Sequence, residues 1–230
     1  MNIGASGVGG YPLVLTALSR IPCVVIGGGR VAERRVTGLI ACGAEPLIVS
    51  PELTQGLQGW CEEGKLRHRR RRYRSGDLAG ASLAIAATSD PQVNERVAAE
   101  AEARGILVNM ATSPHQGHFQ IPATARCGRL LISVSTGGTN PGLAAHLRDE
   151  LASSWTADYA LLLEITTPLR FHLRSLSDRL RRRFWREIAD PECLAGLRPL
   201  PVEAAREHAL ALIWALQSPE TTVETATEMA

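Results

Sequence analysis

Gly27, Gly29 and Ala32 carry the clearest chemistry in this chain. They stand in G-x-G-x-x-A spacing directly after Cys23–Val24–Val25–Ile26, an apolar run that reads as a buried strand. In that spacing the first glycine makes a tight turn and the second lets the backbone approach a pyrophosphate. The small third residue lets the following helix lie close on the strand. The pyrophosphate would sit on the free N–H groups of the helix N-terminus, where the dipole favours an anion. Gly28 completes the turn. A carboxylate near the end of the second strand should accept from the adenosine ribose hydroxyls. Glu52, after Ser50 and Pro51, points to NAD, while Arg30 or Arg34 could meet a 2′-phosphate and keeps NADP open.

A second group of polar residues ends the later apolar runs. Thr88, Ser89 and Asp90 follow Leu83–Ala87, and Asn109 closes the run that begins at Ile106. Asp90 before Pro91 reads equally as a helix cap with proline at the first helical position. His115 and His118 share a loop with no carboxylate anywhere from Met110 to Thr124. A neutral imidazole can take a proton or ligate a metal; two surface loop histidines are the plain alternative. Two histidines without a carboxylate make a poor permanent metal site. The five cysteines are scattered and none forms C-x-x-C, so no bound metal is expected.

These residues need a scaffold, and the pattern around them supplies an α/β one. Helical spacing of Ala32, Val36, Leu39 and Ile40 predicts a helix from about Arg30, stopped near Gly43. Leu47–Val49 reads as strand two, Leu53–Glu63 as a short helix, and Leu66–Tyr73 as a basic third strand or edge. Leu83–Ala87 is strand four, Pro91–Arg104 a helix ended by Gly105, and Ile106–Met110 strand five. Strands alternating with helices in this way mean βαβ units and a parallel sheet. Beyond Ala111 the pattern changes to a loop, a strand at Leu130–Ser135, a polar turn at 136–141 and a helix to about Leu151. From Trp155 a helical stretch follows, interrupted at Pro168, with a last helix through Ala204–Leu216.

Composition narrows the function classes. In 230 residues with 45% hydrophobic content, no apolar run reaches the roughly 20 residues of a membrane helix. Residues 1–10 lack a basic segment ahead of an apolar one, which argues against a secretory leader. The odd, scattered cysteines suggest a reducing compartment, and the cytoplasm is the expectation. The formal charge of +2 hides arginine clusters at 67–74 and 179–186. No nucleic-acid reading motif accompanies them, so they read as solvated faces, with Arg69–Arg72 discouraging pairing at a sheet edge.

Taken in order, several segments together resemble one family: Tyr11–Pro12–Leu13, Val25–Arg35, Ala86–Asp90, Val108–Asn109, Phe119–Gln120–Ile121–Pro122–Ala123 and Ser133–Pro141. They are similar to the precorrin-2 dehydrogenase and sirohydrochlorin ferrochelatase family, of the siroheme-synthase N-terminal type. The likeness spans roughly residues 11–155 and lacks the methyltransferase extension, as in the family's stand-alone form. The resemblance implies NAD-dependent oxidation of precorrin-2 to sirohydrochlorin in sirohaem or related tetrapyrrole biosynthesis. The alternatives are a bifunctional enzyme that also inserts ferrous iron and a non-catalytic binder of tetrapyrrole or dinucleotide. It also implies a homodimer built from a Rossmann domain (1–112), a central dimerisation segment with strands (113–153) and a helical C-terminal domain (154–217). Residues 218–230 are expected to be a disordered tail.

By the same resemblance, Arg30, Val31, Pro51 and Glu52 contact NAD, and Thr112 takes the position of the family's catalytic aspartate. A threonine hydroxyl is no base near neutral pH without an activating partner, so His115 and His118 become candidates for the proton. An octacarboxylate substrate calls for a basic cleft. Arg126, Arg129 and Arg148 are the first candidates, with Arg170, Arg174 and Arg179 in the helical part.

Overall fold

The computed structural model describes residues 10–113, 116–154 and 157–218. His115, the first nine residues, Trp155 and the tail from 219 lie outside the described residues. The chain forms two compact units. Of the described residues, one unit takes those up to Ile121 together with Thr136–Asn140; the other takes Pro122–Ser135 and those from Pro141 on.

In the first unit β1 (Cys23–Ile26), β2 (Leu47–Ser50), β3 (Arg67–Arg70), β4 (Leu83–Ala86) and β5 (Leu107–Met110) make one parallel sheet. Their order is β3-β2-β1-β4-β5. β1 and β4 are buried along their whole length, as the unbroken apolar runs require of central strands covered on both faces. On one face Val25, Ile48 and Ile85 pack with Ala32, Val36 and Leu39 of α1 (Arg30–Ala41) and Leu57 of α2 (Gln55–Glu62). On the other, Val24, Ile26, Val49 and Val108 pack with Val97 and Ala101 of α3 (Pro91–Arg104). Strand order reverses between β1 and β4, and the carboxyl ends of those strands flank the crevice where open α/β sheets bind ligands.

Local signals in the sequence account for these boundaries. The Asp90 carboxylate accepts from the N–H groups of Gln92 and Val93, Pro91 opens the helix, and Gly105 closes it at φ +66°. The edge strand β3 ends at Arg70, short of the expected Tyr73. Its arginines are not merely solvated. Arg69 and Arg71 reach the buried Asp77 at 3.1 and 2.6 Å and tie the β3–β4 connection down.

The second unit opens with a hairpin, β6 (Ala123–Cys127) antiparallel to β7 (Leu130–Val134), turned at Gly128 with φ +56°. β6 went unread because its side chains are small and polar. α4 (Pro141–Ser154) packs on the hairpin. The rest is helical: α5 (Ala157–Thr166), α6 (Arg170–Ser175), α7 (Asp178–Ile188), α8 (Pro191–Leu197) and α9 (Val202–Gln217). They enclose a core of Ile165, Phe184, Ile188, Leu197 and Ile213, all fully buried. Pro168 separates α5 from α6, as a proline that cannot donate to the preceding turn should. The short α8 carries the same aspartate–proline signal as α3, with Asp190 accepting from Glu192 N.

Candidate functional site

The glycine turn is held by backbone alone. Gly27 takes φ +120°, donates to Val49 O at 3.0 Å, and leaves no room for a side chain, since a Cβ there would collide with the Ala87 carbonyl. A Cβ on Gly28 would collide with the Glu52 carbonyl and approach Ser50 Oγ at 2.7 Å. Around Gly29 the situation reverses, because nothing lies within 4 Å of the place a Cβ would occupy. Gly29 is the N-cap of α1 and no side chain caps that helix. The turn therefore leaves open space beside uncapped helix N–H groups, which is what an anion needs. Ala32 is fully buried and lets α1 seat on the sheet.

The β2–α2 loop is stapled to this turn. Thr54 N donates to Gly28 O at 3.0 Å, and the Thr54 hydroxyl accepts from Leu57 N to cap α2. Ser50 is buried, its carbonyl bonded to the His68 ring at 2.9 Å, while Pro51, Glu52, Arg30 and Val31 are exposed around the turn. The first unit thus brings the cofactor candidates from β1, α1 and the β2 loop to one edge of the sheet.

Across the crevice, side chains take over from backbone. Thr88 stands two residues beyond β4, and its hydroxyl donates to Asn94 Oδ1 at 2.8 Å. Asn94, buried on the first turn of α3, also donates to Thr112 Oγ1 at 3.4 Å. Ser89 is exposed beside them. Sequence reasoning passed over Asn94; its place one turn after the Asp90–Pro91 cap was the available signal.

Asn109 does not extend freely from β5. Its Nδ2 donates to Phe119 O at 2.9 Å and latches the following loop to the sheet, while its buried Oδ1 has no partner among the described residues. His118 is anchored in the same way. Its Nδ1 accepts from Val108 N at 3.2 Å and its Nε2 bonds Glu102 at 2.8 Å. Because Nδ1 accepts, Nε2 carries the proton. Both ring nitrogens are occupied, so His118 holds the loop against β5 and has no lone pair to offer a proton or iron. Thr112 is exposed, and among the described residues its oxygen meets no base, only the Asn94 amide. Among the described residues no three His, Cys, Asp or Glu gather around a common point.

The arginines singled out as substrate candidates are distributed over the second unit. Arg126 lies on β6 opposite Leu131, and Arg148 on α4 is bonded to Asp149 at 2.7 Å. Arg129, in the hairpin turn, borders a pocket of about 310 Å³ with Leu163, Glu164 and Thr167. Arg170, Arg174 and Arg179 are exposed.

A buried pair of carboxylates supports the far side of the sheet. Hydrogen bonds from Arg71, joined by Arg74 N and Arg69, outweigh burial and hold the Asp77 carboxyl down at about 2. Burial opposes the Glu100 carboxylate, but hydrogen bonds from Tyr73, Gly76, Leu78 and Arg104 keep its pKa below the usual range. Burial and the 2.6 Å bond to Glu100 push the Tyr73 phenol well above its ordinary value.

A parallel sheet in this order, with an open glycine turn on an uncapped helix at its switch point, defines a dinucleotide-binding Rossmann protein. A family described as putative NAD(P)-binding matches residues 14–123. The siroheme synthase of Chromobacterium violaceum is 38% identical over 182 residues, covering 78% of this chain and 38% of that one. The siroheme synthase of Methylobacillus flagellatus is 38% identical over 169 residues, covering 73% and 36%. The chain thus spans under half the length of these curated relatives. Among solved structures, SirC, a precorrin-2 dehydrogenase, superposes with a TM-score of 0.68 at 28% identity, covering 89% of this chain and all of that one. Over most of its length the chain is similar to these siroheme synthases and to this precorrin-2 dehydrogenase.

Proposed function

We propose that this chain is an NAD-dependent dehydrogenase that oxidises precorrin-2 to sirohydrochlorin in sirohaem or related tetrapyrrole biosynthesis. The observation that carries the reading is the open turn at Gly29, together with likeness to a precorrin-2 dehydrogenase along 89% of the chain. The turn fits the cofactor: glycine is obligatory at 27 and 28 for packing, and at 29 its missing side chain leaves space. Gly27–Gly29, Arg30 and Val31 would hold the pyrophosphate. Pro51 and Glu52 would meet the adenosine end, with Glu52 accepting from the ribose. Thr88, Ser89, Asn109 and Thr112 would border the nicotinamide end. When bound, NAD⁺ supplies a two-electron acceptor for hydride.

For the chain's own residues the work is positioning rather than acid–base chemistry. Neither Thr112 nor His118 offers a base, which leaves water or His115, outside the described residues, to take a proton released from the macrocycle. Arg126, Arg129 and Arg148 are proposed to meet the substrate's carboxylates, as charge-assisted bonds favour.

The central segment (113–153) is proposed to pair two copies of the chain. Leu143, Leu147 and Leu151, four residues apart on α4, are 45%, 36% and 43% exposed, an apolar stripe that a second copy would cover. Sedimentation should return a dimer, and L147D should return a monomer. A cytoplasmic compartment is proposed from the cysteine pattern.

The test is to give the purified chain precorrin-2 and NAD⁺ under anaerobic conditions and follow sirohydrochlorin absorbance. The expected result is formation well above the spontaneous rate. Formation at the spontaneous rate would overturn the reading.

A further inference from the structure

The carboxyl ends of β4 and β5 are joined by one buried side chain, Asn94, which is 2% exposed. Its Oδ1 accepts from Thr88 N at 3.2 Å and from the Thr88 hydroxyl at 2.8 Å. Its Nδ2 donates to Thr88 O at 3.0 Å and to Thr112 Oγ1 at 3.4 Å. A backbone N–H on one side and a backbone carbonyl on the other leave only one orientation of the amide. The reversed amide would set oxygen against oxygen and N–H against N–H. The amide's direction is therefore fixed by Thr88, and with it the kind of partner offered to Thr112.

Thr112 receives an N–H on its oxygen and keeps its own O–H to give. Its side chain is exposed at the end of β5. A hydroxyl held in this way is a directed donor, suited to an acceptor oxygen and unsuited to taking a proton.

We propose that Asn94 is a positioning residue that locks the Thr112 hydroxyl as a hydrogen-bond donor to a ligand oxygen at the β4–β5 end of the crevice. The ligand oxygen is a carboxylate or carboxamide oxygen, from the tetrapyrrole or from the nicotinamide. The inference rests on the dehydrogenase reading and adds to it a residue that touches no reacting atom.

The test is a double-mutant cycle with N94D and T112V. An aspartate at 94 puts an acceptor where Nδ2 stood, so the Thr112 O–H turns inward to it. Valine at 112 removes the hydroxyl and keeps the shape. Each single change should lower kcat/KM for precorrin-2 about tenfold, the loss of one exposed-side hydrogen bond. The double variant should fall no further than T112V alone, because N94D acts through the hydroxyl that is gone. T112S should recover much of the loss. Parallel titration with NAD⁺ separates the sources. An affinity that drops with kcat/KM assigns the oxygen to the carboxamide, and an unchanged affinity assigns it to the substrate.

Additive losses, or T112V turning over like the wild type, would overturn the proposal. If N94D does not fold, T112V against T112S carries the test, and equal rates overturn it. If the wild type itself makes no sirohydrochlorin, the dehydrogenase reading has failed separately. NAD⁺ affinity then decides, and its indifference to both T112V and N94D would overturn the proposal.

Discussion

The two sides of the crevice are built by opposite means. On the β1–β2 side the geometry is backbone: Gly27 N to Val49 O, Thr54 N to Gly28 O, and an absence of side chains where side chains would collide. On the β4–β5 side it is side chains: Asn94, Thr88, Thr112, Asn109 and His118, each bonded to the next loop or strand. Backbone geometry depends on what a residue lacks, so it tolerates almost no substitution. A side-chain network distributes the work, so each member is worth about one hydrogen bond.

Substitutions on the two sides test this contrast, and Gly28 is where the greatest loss is expected. G28A puts a methyl into the Glu52 carbonyl and should abolish soluble folded protein or unfold the crevice, read by circular dichroism and expression. G29A meets nothing, so it should fold normally and still lose NAD⁺ affinity by more than tenfold, since the methyl occupies the space left for the pyrophosphate. Equal NAD⁺ affinity in G29A and wild type would dismiss the backbone account.

Next in size is the Asp77 buttress. Its carboxyl is held at about 2 against an ordinary 3.8, so the folded state favours the charged form. The contribution is complete above the unfolded value and lost as pH falls from about 4 towards 2. D77N should cost about 2 kcal/mol near neutral pH. It should also flatten the acid limb of a denaturation series over that window, and an unchanged limb would remove Asp77 as its source.

The smallest effect belongs to His118. H118A deletes bonds to Val108 N and Glu102 and should lower stability by about 1 kcal/mol, with NAD⁺ affinity unaltered. A larger fall in turnover than in stability would return His118 to the chemistry.

What could be read from the sequence follows the same division. The glycine turn, the Asp90–Pro91 start and Gly105 stop of α3, and the five parallel strands were legible because each rests on a residue's own conformational limits. The hydrogen bonds that hold Asn109 and His118 were not. Their positions in the chain suggested cofactor and proton chemistry, but the bonds to Phe119 and Val108 come from a loop folding back on the edge of β5, a pairing with no periodic signature. Asn94 was hidden for a similar reason, since a buried asparagine and a solvated one look alike on a helix. The arginine run at 67–74 was read as a face in water, and the buried Asp77 that gathers two of its members lies in an irregular connection.

In the proposed function the glycine turn holds the hydride acceptor for precorrin-2 oxidation. The most direct measurement follows NADH and sirohydrochlorin together in single anaerobic reactions of the wild type and G29A. Equal amounts of the two products are expected in the wild type, and neither above background in a folded G29A. Sirohydrochlorin formed without NADH, or at the same rate by G29A, would contradict it.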